Sequence, residues 1–211
     1  RIPVPIEHPD ARVRVVRHAR NLGVGASILT GYRIARDEGA DVAVVMAADG
    51  QMLPSDLFAL LRPVLSGGAD YAKGDRLSHP ACSTDMPLVR RIGNTSLTFL
   101  TRLVTGSRDL MDSQCGFTAL RLGVLDRLPL DWIYPRYGFP NDFLAASFGA
   151  GLKVRDVVVT PVYRGERSGI RPPIAAAVYP LILVRAILVR AVANRKARAV
   201  AATAREVRCG S

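Results

Sequence analysis

Apolar and polar positions along this 211-residue chain alternate between two periods, and the switches between them predict its elements. The run Arg12-Val13-Arg14-Val15-Val16-Arg17 alternates and reads as a strand. A turn follows at Asn21-Leu22-Gly23-Val24-Gly25. From Ala26 to Glu38 the residues Ile28, Leu29, Tyr32 and Ile34 fall at helical spacing, and Gly39 stops the helix. Val42 to Met46 is a short apolar run bounded by turn residues, the pattern of a buried strand in a parallel sheet. Pro54 opens a helix whose face is Leu57, Leu60, Leu61 and Leu65, and Gly67-Gly68 end it. Asp70 to Lys73 is a short strand that leaves through Gly74-Asp75-Arg76. Strands and helices that alternate in this order imply a parallel sheet.

The second half is less regular. Leu77 to Pro87 has no period and reads as a mobile loop at the substrate edge of the sheet. A helix is expected from Leu88 to Val104, a strand from Gln114 to Arg121, and a helical turn from Val124 to Leu128. Asp131 to Pro140 is rich in aromatic residues, Pro and Gly, and reads as a loop. Asn141 or Asp142 is expected to cap a helix ending near Gly149 or Gly151. Val154 to Val159 forms a last strand. No internal repeat is evident.

Charge changes the picture at the C-terminus. The formal net charge is +11, and such a balance favours an anionic partner. From Thr160 to Ser211 there are ten Arg and Lys against two Glu, so the basicity belongs to a tail. Within it, Ile174 to Val184 is apolar apart from Tyr179, interrupted by Pro180 and ended by Arg185. That is shorter than the roughly 20 apolar residues of a spanning helix. Apolar surface interleaved with arginine suits a helix lying on an anionic membrane surface. A helix packed on the domain or on a second subunit is the other reading. Nucleic acid is disfavoured, because the tail carries apolar residues and no known recognition module. Hydrophobic residues at 49% and charged residues at 22% exclude a disordered chain. Cys82, Cys115 and Cys209 show no metal or disulfide spacing, which suits a reducing compartment. No signal peptide is recognisable. The chain starts on Arg1, inside what reads as the lead-in to a strand, so the natural N-terminus is expected to be absent.

The most chemical stretch is Ala47-Ala48-Asp49-Gly50-Gln51, at the carboxyl end of the apolar run. Ligands of open α/β sheets bind beyond that end. Asp49 and Gln51 both offer oxygen to a hard divalent cation, the usual bridge between carboxylates and a diphosphate. Alternatively Asp49 merely caps the next helix, and the spacing leaves both readings open. His8, His18 and His79 are scattered, which suits structural or solvated roles, and Cys115 reads as a buried small residue. Trp132, Tyr134 and Tyr137 beside Arg136 either line an acceptor groove or simply pack.

An ordered set of short motifs extends along nearly the whole chain. It comprises Asn21-x-Gly23-x-Gly25, Gly31, Ala48-Asp49-Gly50-Gln51 with Pro54, Gly74-Asp75-Arg76, Asp112-x-x-Cys115-Gly116-Phe117, and Arg164-Gly165-Glu166-Arg167-Ser168. The set resembles the family 2 inverting glycosyltransferases, and within them the dolichyl- and polyprenyl-phosphate sugar transferases. The resemblance implies a Rossmann-like α/β fold of the glycosyltransferase A type, with a mostly parallel sheet flanked by helices. It places a glycosyltransferase domain at residues 1–165 and a basic, membrane-associated helical tail at 166–211. It implies sugar transfer from a nucleotide-diphosphate sugar to a lipid-linked, polyprenyl-phosphate acceptor at the cytoplasmic membrane face, and it leaves room for a homo-oligomer.

Residue roles follow from the same resemblance. The family's Asp-x-Asp element falls on Ala47-Ala48-Asp49, so Asp49 and Gln51 would hold a divalent metal (Mg or Mn) on the donor diphosphate. Ala47 replaces the first carboxylate, which should weaken that metal site. Asn21, Gly23 and Gly25 join Asp49 among the donor-binding residues. Arg76 matches a basic residue near the phosphates or sugar, and Asp112 an acidic residue close to the acceptor; these are the implied catalytic residues. Arg164 and Arg167 match residues that hold the acceptor phosphate or donor diphosphate. The family's first two strands, which grip the nucleotide, have no counterpart here.

The chemistry is self-consistent. A departing diphosphate needs neutralising, which a metal ion and arginines can do. A phosphate acceptor is already anionic and needs no strong base, whereas a hydroxyl acceptor would need a carboxylate such as Asp112. Two other classes compete. A dinucleotide-binding oxidoreductase would use Gly23-x-Gly25, but Ile28 replaces its third glycine. A non-catalytic relative would keep the fold and the membrane contact.

Overall fold

A computed structural model describes residues 5–6, 10, 12–136, 138–163 and 172–209, with side chains of the last segment described over 180–202. The core is a four-stranded sheet of β3 (Val42–Val45), β5 (Thr118–Arg121), β4 (Tyr71–Asp75) and β6 (Val154–Val158), in that spatial order. The sheet is mixed rather than mostly parallel. β5 runs antiparallel to both β3 and β4, and only β4 and β6 pair in parallel. β3 and β4 do point the same way, but β5 enters from the opposite direction and separates them. Hydrophobic runs carry no direction, so the sequence could not reveal that insertion.

β3 also corrects its own expectation. It is an edge strand, with β5 as its only strand partner among the described residues, and all four of its residues are half-buried. The alternating run at Arg12–Arg17 yields only β2 (Val15–Val16), which pairs antiparallel with β1 (Pro5–Ile6) in a separate ribbon.

Helices cover both faces of the sheet. α1 (Val24–Asp37) and α5 (Phe139–Gly149) close one face, where Leu29, Tyr32, Tyr71, Leu120, Phe143 and Leu144 form the larger core. A 3₁₀ turn at Pro54–Asp56 leads into α2 (Leu57–Leu65) on the other face, where Leu60 and Val64 meet Ala72 and Ala119. Tyr71 and Ala72 point to opposite faces, as do Leu120 and Ala119, which is the pleat of a strand buried on both sides. Each fully buried Leu contributes about 1.5–3 kcal/mol. Leu65 is exposed instead of joining the α2 face, and Val64 takes its place.

Leu77–Pro87 is not structureless. The Asp75 carboxylate accepts from the Leu77 and Ser78 amides (3.0 Å each), and α3 (Cys82–Asp85) follows. α4 (Leu88–Thr105) matches its expected range within a residue. The expected strand at Gln114 shortens to start at Thr118, because Gln114 and Ser113 are engaged by Asp112, Asn141 and Thr98. 3₁₀ turns occupy Leu122–Arg127 and Leu130–Trp132. α5 begins at Phe139, so neither Asn141 nor Asp142 is its cap. Both lie buried inside its first turn, where Asn141 donates to Thr101 Oγ1 (2.8 Å) and Asp142 accepts from the Tyr134 amide (2.8 Å).

The C-terminal segment is one long helix, α6 (Pro172–Cys209), which packs along α5 and past the end of α4. Ile182, Ala186, Val189 and Ala193 are its buried face. Three cations fasten it: Arg185 pairs with Asp142 (2.8 Å), Arg190 donates to the Val104 carbonyl (2.6 Å), and Lys196 to the Leu128 carbonyl (2.8 Å). The last two satisfy orphan carbonyls at a helix end and after a turn. Among the described residues, no helix is long and apolar enough to cross a membrane.

The α5–α6 crossing is close because Gly149 has no side chain. A Cβ there would fall against the Arg190 carbonyl oxygen and the Ala193 methyl. Gly149→Val is therefore expected to cost about 1–3 kcal/mol by overpacking, read as a lower urea midpoint. Gly31→Ala on α1, where the new methyl meets nothing within 4 Å, should instead raise stability by about 0.5–1 kcal/mol.

Candidate functional site

The carboxyl ends of β3 and β4 open on the same side as the loop that precedes β5, and the chemically charged residues gather there. β4 ends in Asp75, and Arg76 turns at once toward that loop. The Arg76 guanidinium grips Asp112 with both arms, Nε to Oδ2 at 2.8 Å and Nη2 to Oδ1 at 3.1 Å. Backbone amides of Arg76 (3.3 Å) and Gln114 (3.0 Å) also donate to the carboxylate. Asp112 is fully buried, and Arg76 is largely so. Burial works against both charges, and each partner more than reverses it for the other: Asp112 lies below its ordinary value and Arg76 above. With both oxygens accepting, Asp112 is a poor base and a good anchor.

The third guanidinium nitrogen, Nη1, donates to the Tyr163 hydroxyl (3.3 Å). Arg76 and Tyr163 line a narrow cleft with Gln51, Met52, Gly116 and Thr160. Beneath it sits Lys73, fully buried, which donates to the Cys115 carbonyl. Burial lowers the Lys73 pKa and raises that of the Cys115 thiol. Asp156 faces Lys73 across the parallel pair and accepts from the Met111 amide. Its other oxygen, Oδ1, is buried without a hydrogen-bond partner, and burial pushes its pKa up to about 6. Lys73 and Asp156 thus brace the 111–117 segment that carries Asp112.

Asp49 lies apart from this cluster. It is exposed, forms no ion pair among the described residues, and its Oδ1 accepts from the Gln51 amide (3.0 Å). That bond makes an Asx turn, with Gly50 at φ +75°. Asp49 does not cap the next helix, whose N-cap is Leu53 with no side-chain bond. Gln51 lines the cleft; Asp49 does not. Among the described residues no three His, Cys, Asp or Glu form a metal-binding group. One carboxylate and one amide oxygen still suit a hard cation of the magnesium type, which commonly takes one or two protein carboxylates and draws its other oxygens from substrate phosphate and water.

Asn21 and Gly23, expected to bind the donor, stand elsewhere, on a groove of about 700 Å³ between β2 and α1. None of Asp49, Arg76 and Asp112 lines that groove, so volume alone does not mark the chemistry. Asn21 accepts from the Gly23 amide (2.9 Å). Gly23 (φ +99°) and Gly25 are accounted for by close approach: a Cβ would meet the Pro135 carbonyl at the first and the Phe139 ring at the second. Arg136 bonds the Asn21 carbonyl (3.2 Å), while Tyr134 stacks under Arg185. Trp132 is exposed. Arg164, Arg167 and Tyr137 lie outside the described residues.

Sequence reasoning missed Tyr163, Lys73 and Asp156 as neighbours of this site. Lys73 had a signal, a lysine in an otherwise apolar strand two residues before Asp75. Tyr163 and Asp156 had none, since only the β4–β6 pairing brings them near.

Comparisons with known proteins show the family and the fold. The family model described as glycosyl transferase family 2 matches residues 6–128. A UDP-N-acetylglucosamine–dolichyl-phosphate N-acetylglucosaminyltransferase of Methanococcus voltae is 32% identical over 152 residues, which is 72% of this chain and 60% of that protein. An undecaprenyl-phosphate mannosyltransferase of Micrococcus luteus is 30% identical over 156 residues, 74% of this chain and 63% of that protein. The chain thus spans about three fifths of the length of these relatives. Glucosyl-3-phosphoglycerate synthase of Mycobacterium tuberculosis, solved with Mn²⁺, uridine diphosphate and phosphoglyceric acid, superposes with a TM-score of 0.57. The two are 17% identical, covering 83% of this chain and 56% of that one, and share the glycosyltransferase A type of α/β fold.

Two predictions follow from the ion pair and its brace. Asp112→Asn leaves the largely buried Arg76 without its counter-charge and should cost about 3–5 kcal/mol, read by urea unfolding at pH 7. The pH windows of the two acids differ. Asp112, held low, contributes stability that is complete above about pH 4 and is lost as acid protonates it. Asp156, raised from 3.8 to about 6, binds its proton more tightly when folded, so its contribution fades as pH climbs between those values. Asp156→Asn keeps an acceptor for Met111 and should flatten the stability profile between pH 4 and 6, as measured by urea midpoints.

Proposed function

Because the chain belongs to glycosyl transferase family 2, we propose that it forms part of an enzyme that moves a sugar from a nucleotide-diphosphate donor to a polyprenyl-phosphate acceptor at the cytoplasmic face of a membrane. The observation that carries this reading is Arg76. Its guanidinium is clamped by Asp112 on two nitrogens and presents the third to a cleft shared with Gln51 and Tyr163. A fixed cation at that point suits a phosphate oxygen, because its orientation costs no reorganisation when charge develops. The relatives act on dolichyl phosphate and undecaprenyl phosphate, which supports the acceptor class.

The roles divide as follows. Asp112 is a positioning residue, since two of its acceptor contacts hold the Arg76 fork and two backbone amides occupy the rest of its accepting capacity. That arrangement favours an acceptor that arrives already ionised, and a phosphate does. Inversion by direct attack of the acceptor oxygen on the sugar carbon then needs no enzymic base. Asp49 and Gln51 would hold a divalent cation, which supplies charge neutralisation to the leaving diphosphate. Asn21, Gly23 and Gly25 shape the entry to α1 on the donor side, and Arg164 and Arg167 add cationic charge for the acceptor phosphate or the diphosphate. The solvent-facing Leu181, Val184, Ile187 and Leu188 of α6 support membrane association of the segment from 166 onward, although its other face packs on α5. Self-association is compatible with this arrangement.

A second reading is a non-catalytic relative. Ala47, in place of a second carboxylate beside Asp49, favours it.

The test is donor turnover by the complete protein in the presence of Mg²⁺ or Mn²⁺. Arg76→Lys keeps the charge but loses the two-armed clamp, and should lower kcat by about 10²–10³. Asp49→Ala should move the cation titration to higher concentration. Full turnover and an unchanged cation titration in Asp49→Ala would remove the metal role. Donor binding without turnover in the wild-type protein would favour the non-catalytic reading.

A further inference from the structure

α4 has an unusually polar inward face. Beside buried Leu97 it carries Thr98, Thr101 and Thr105, all buried, with Asn94 half-buried on the same side. Those hydroxyls are satisfied within the protein: Thr98 with Ser113, Thr101 and Thr105 with carbonyls one turn back, and Thr101 with Asn141. Its outward face carries Leu88, Ile92, Phe99 and Leu103, spaced by four or seven residues and hence on one side, with Val89 at the margin and the exposed hydroxyls of Thr95 and Ser96 between the two pairs. Phe99 is 58% exposed and Leu103 65%, as exposed as surface lysines commonly are. Scattered exposed apolar residues need no explanation, but a stripe over four turns does.

Charge decides what covers it. α4 contains Arg90, Arg91 and Arg102 and no acidic residue. Arg108 follows its end, and Arg190 of α6 reaches the Val104 carbonyl from alongside. Arg195 and Arg198 are exposed further along α6, whose outward residues Leu181, Val184, Ile187 and Leu188 repeat the apolar theme. Exposed Asp85 and Asp109 flank the two ends of α4, but Arg90, Arg91, Arg102 and Arg108 outnumber them. An apolar stripe with a net cationic border complements an anionic lipid surface, where the stripe enters the headgroup boundary and the arginines meet phosphate. A second copy of the chain would bring the same cations against themselves.

We propose that α4 docks the protein on an anionic bilayer through Leu88, Ile92, Phe99 and Leu103, with α6 as a second contact. The proposal deepens the lipid-acceptor reading and rests on it only for the choice of a membrane as the surface. α4 also holds the segment carrying Asp112, since Thr98 Oγ1 accepts from the Ser113 amide (2.9 Å). Membrane contact and the Arg76 cleft are thereby two sides of one helix–loop unit.

The experiment measures co-sedimentation of the full chain with vesicles of phosphatidylcholine containing phosphatidylglycerol, and with phosphatidylcholine alone. Binding should favour the anionic vesicles and weaken with salt. Phe99→Glu/Leu103→Glu should lower partitioning by about tenfold or more. Phe58→Glu, at an exposed phenylalanine on α2, should leave it unchanged. Phe99→Trp keeps the apolar surface, and its emission should shift to the blue on adding anionic vesicles, beyond any shift of the wild-type protein's single tryptophan. Unchanged partitioning in the double variant, or no shift in Phe99→Trp, overturns the proposal. So does a double variant that turns a dimer into a monomer in sedimentation while vesicle binding persists, because the stripe would then be a self-interface. Turnover of a short, water-soluble prenyl-phosphate acceptor by the complete protein should be unaffected by the double variant. In the wild-type protein, absence of anionic-vesicle binding with that turnover present is failure of the docking surface, and absence of turnover with vesicle binding present is failure of the function.

Discussion

Arg76 and Asp112 are 36 residues apart in sequence and in contact at 2.8 Å, and that contact ties the end of β4 to the segment entering β5. Two opposite charges taken out of water are costly unless each is paired and its remaining hydrogen-bonding capacity is met. Here the carboxylate has four donors and the guanidinium has Tyr163 as its further partner. The pair therefore fixes the relative position of everything attached to it. On one side are Asp75 and the turn into α3; on the other are Cys115, Gly116 and the antiparallel strand β5, which holds the sheet together by pairing both β3 and β4.

The same logic extends outward through the helices. Lys73 and Asp156 brace the 111–117 segment from below, and Thr98 on α4 reaches it from the side. α4 is in turn held at its C-terminal end by Arg190 of α6, and α6 by its ion pair with Asp142. Buried polar groups thus follow a continuous route from the cleft to two helices whose outer faces are apolar. In an ordinary globular helix the polar residues face water. On α4 they face the protein, because the site needs donors and acceptors there, and the apolar residues are left for another surface.

Much of the fold was legible because local rules acted alone. α1, α2 and α4 are bounded by Gly, Pro and apolar spacing; α1 and α4 fall within two residues of expectation, and α2 starts three residues after Pro54, behind a 3₁₀ turn. The candidate site was legible as a set of short motifs at strand ends, including Asp49, Gln51, Arg76 and Asp112. Their mutual arrangement was not. Arg76 and Asp112 read as two independent catalytic groups, and the structure makes them one unit. Gly23 and Gly25 read as donor-binding, and the structure adds a packing reason for each, close approach to Pro135 and Phe139, with Gly23 also on the groove beside α1. Asn141 and Asp142 read as a cap, and the structure buries both to serve α4 and α6.

By itself the sequence determined the type and order of the longer helices and main strands, and the family to which the motifs point, because period, turn chemistry and motif spacing are properties of neighbouring residues. Only the tertiary structure decided the direction of β5, the edge position of β3, the pairing of Arg76 with Asp112 and the polar inward face of α4. Strand direction and charge pairing are settled by contacts between residues tens of positions apart, and an apolar stripe reveals its orientation only when the protein it packs against is in place.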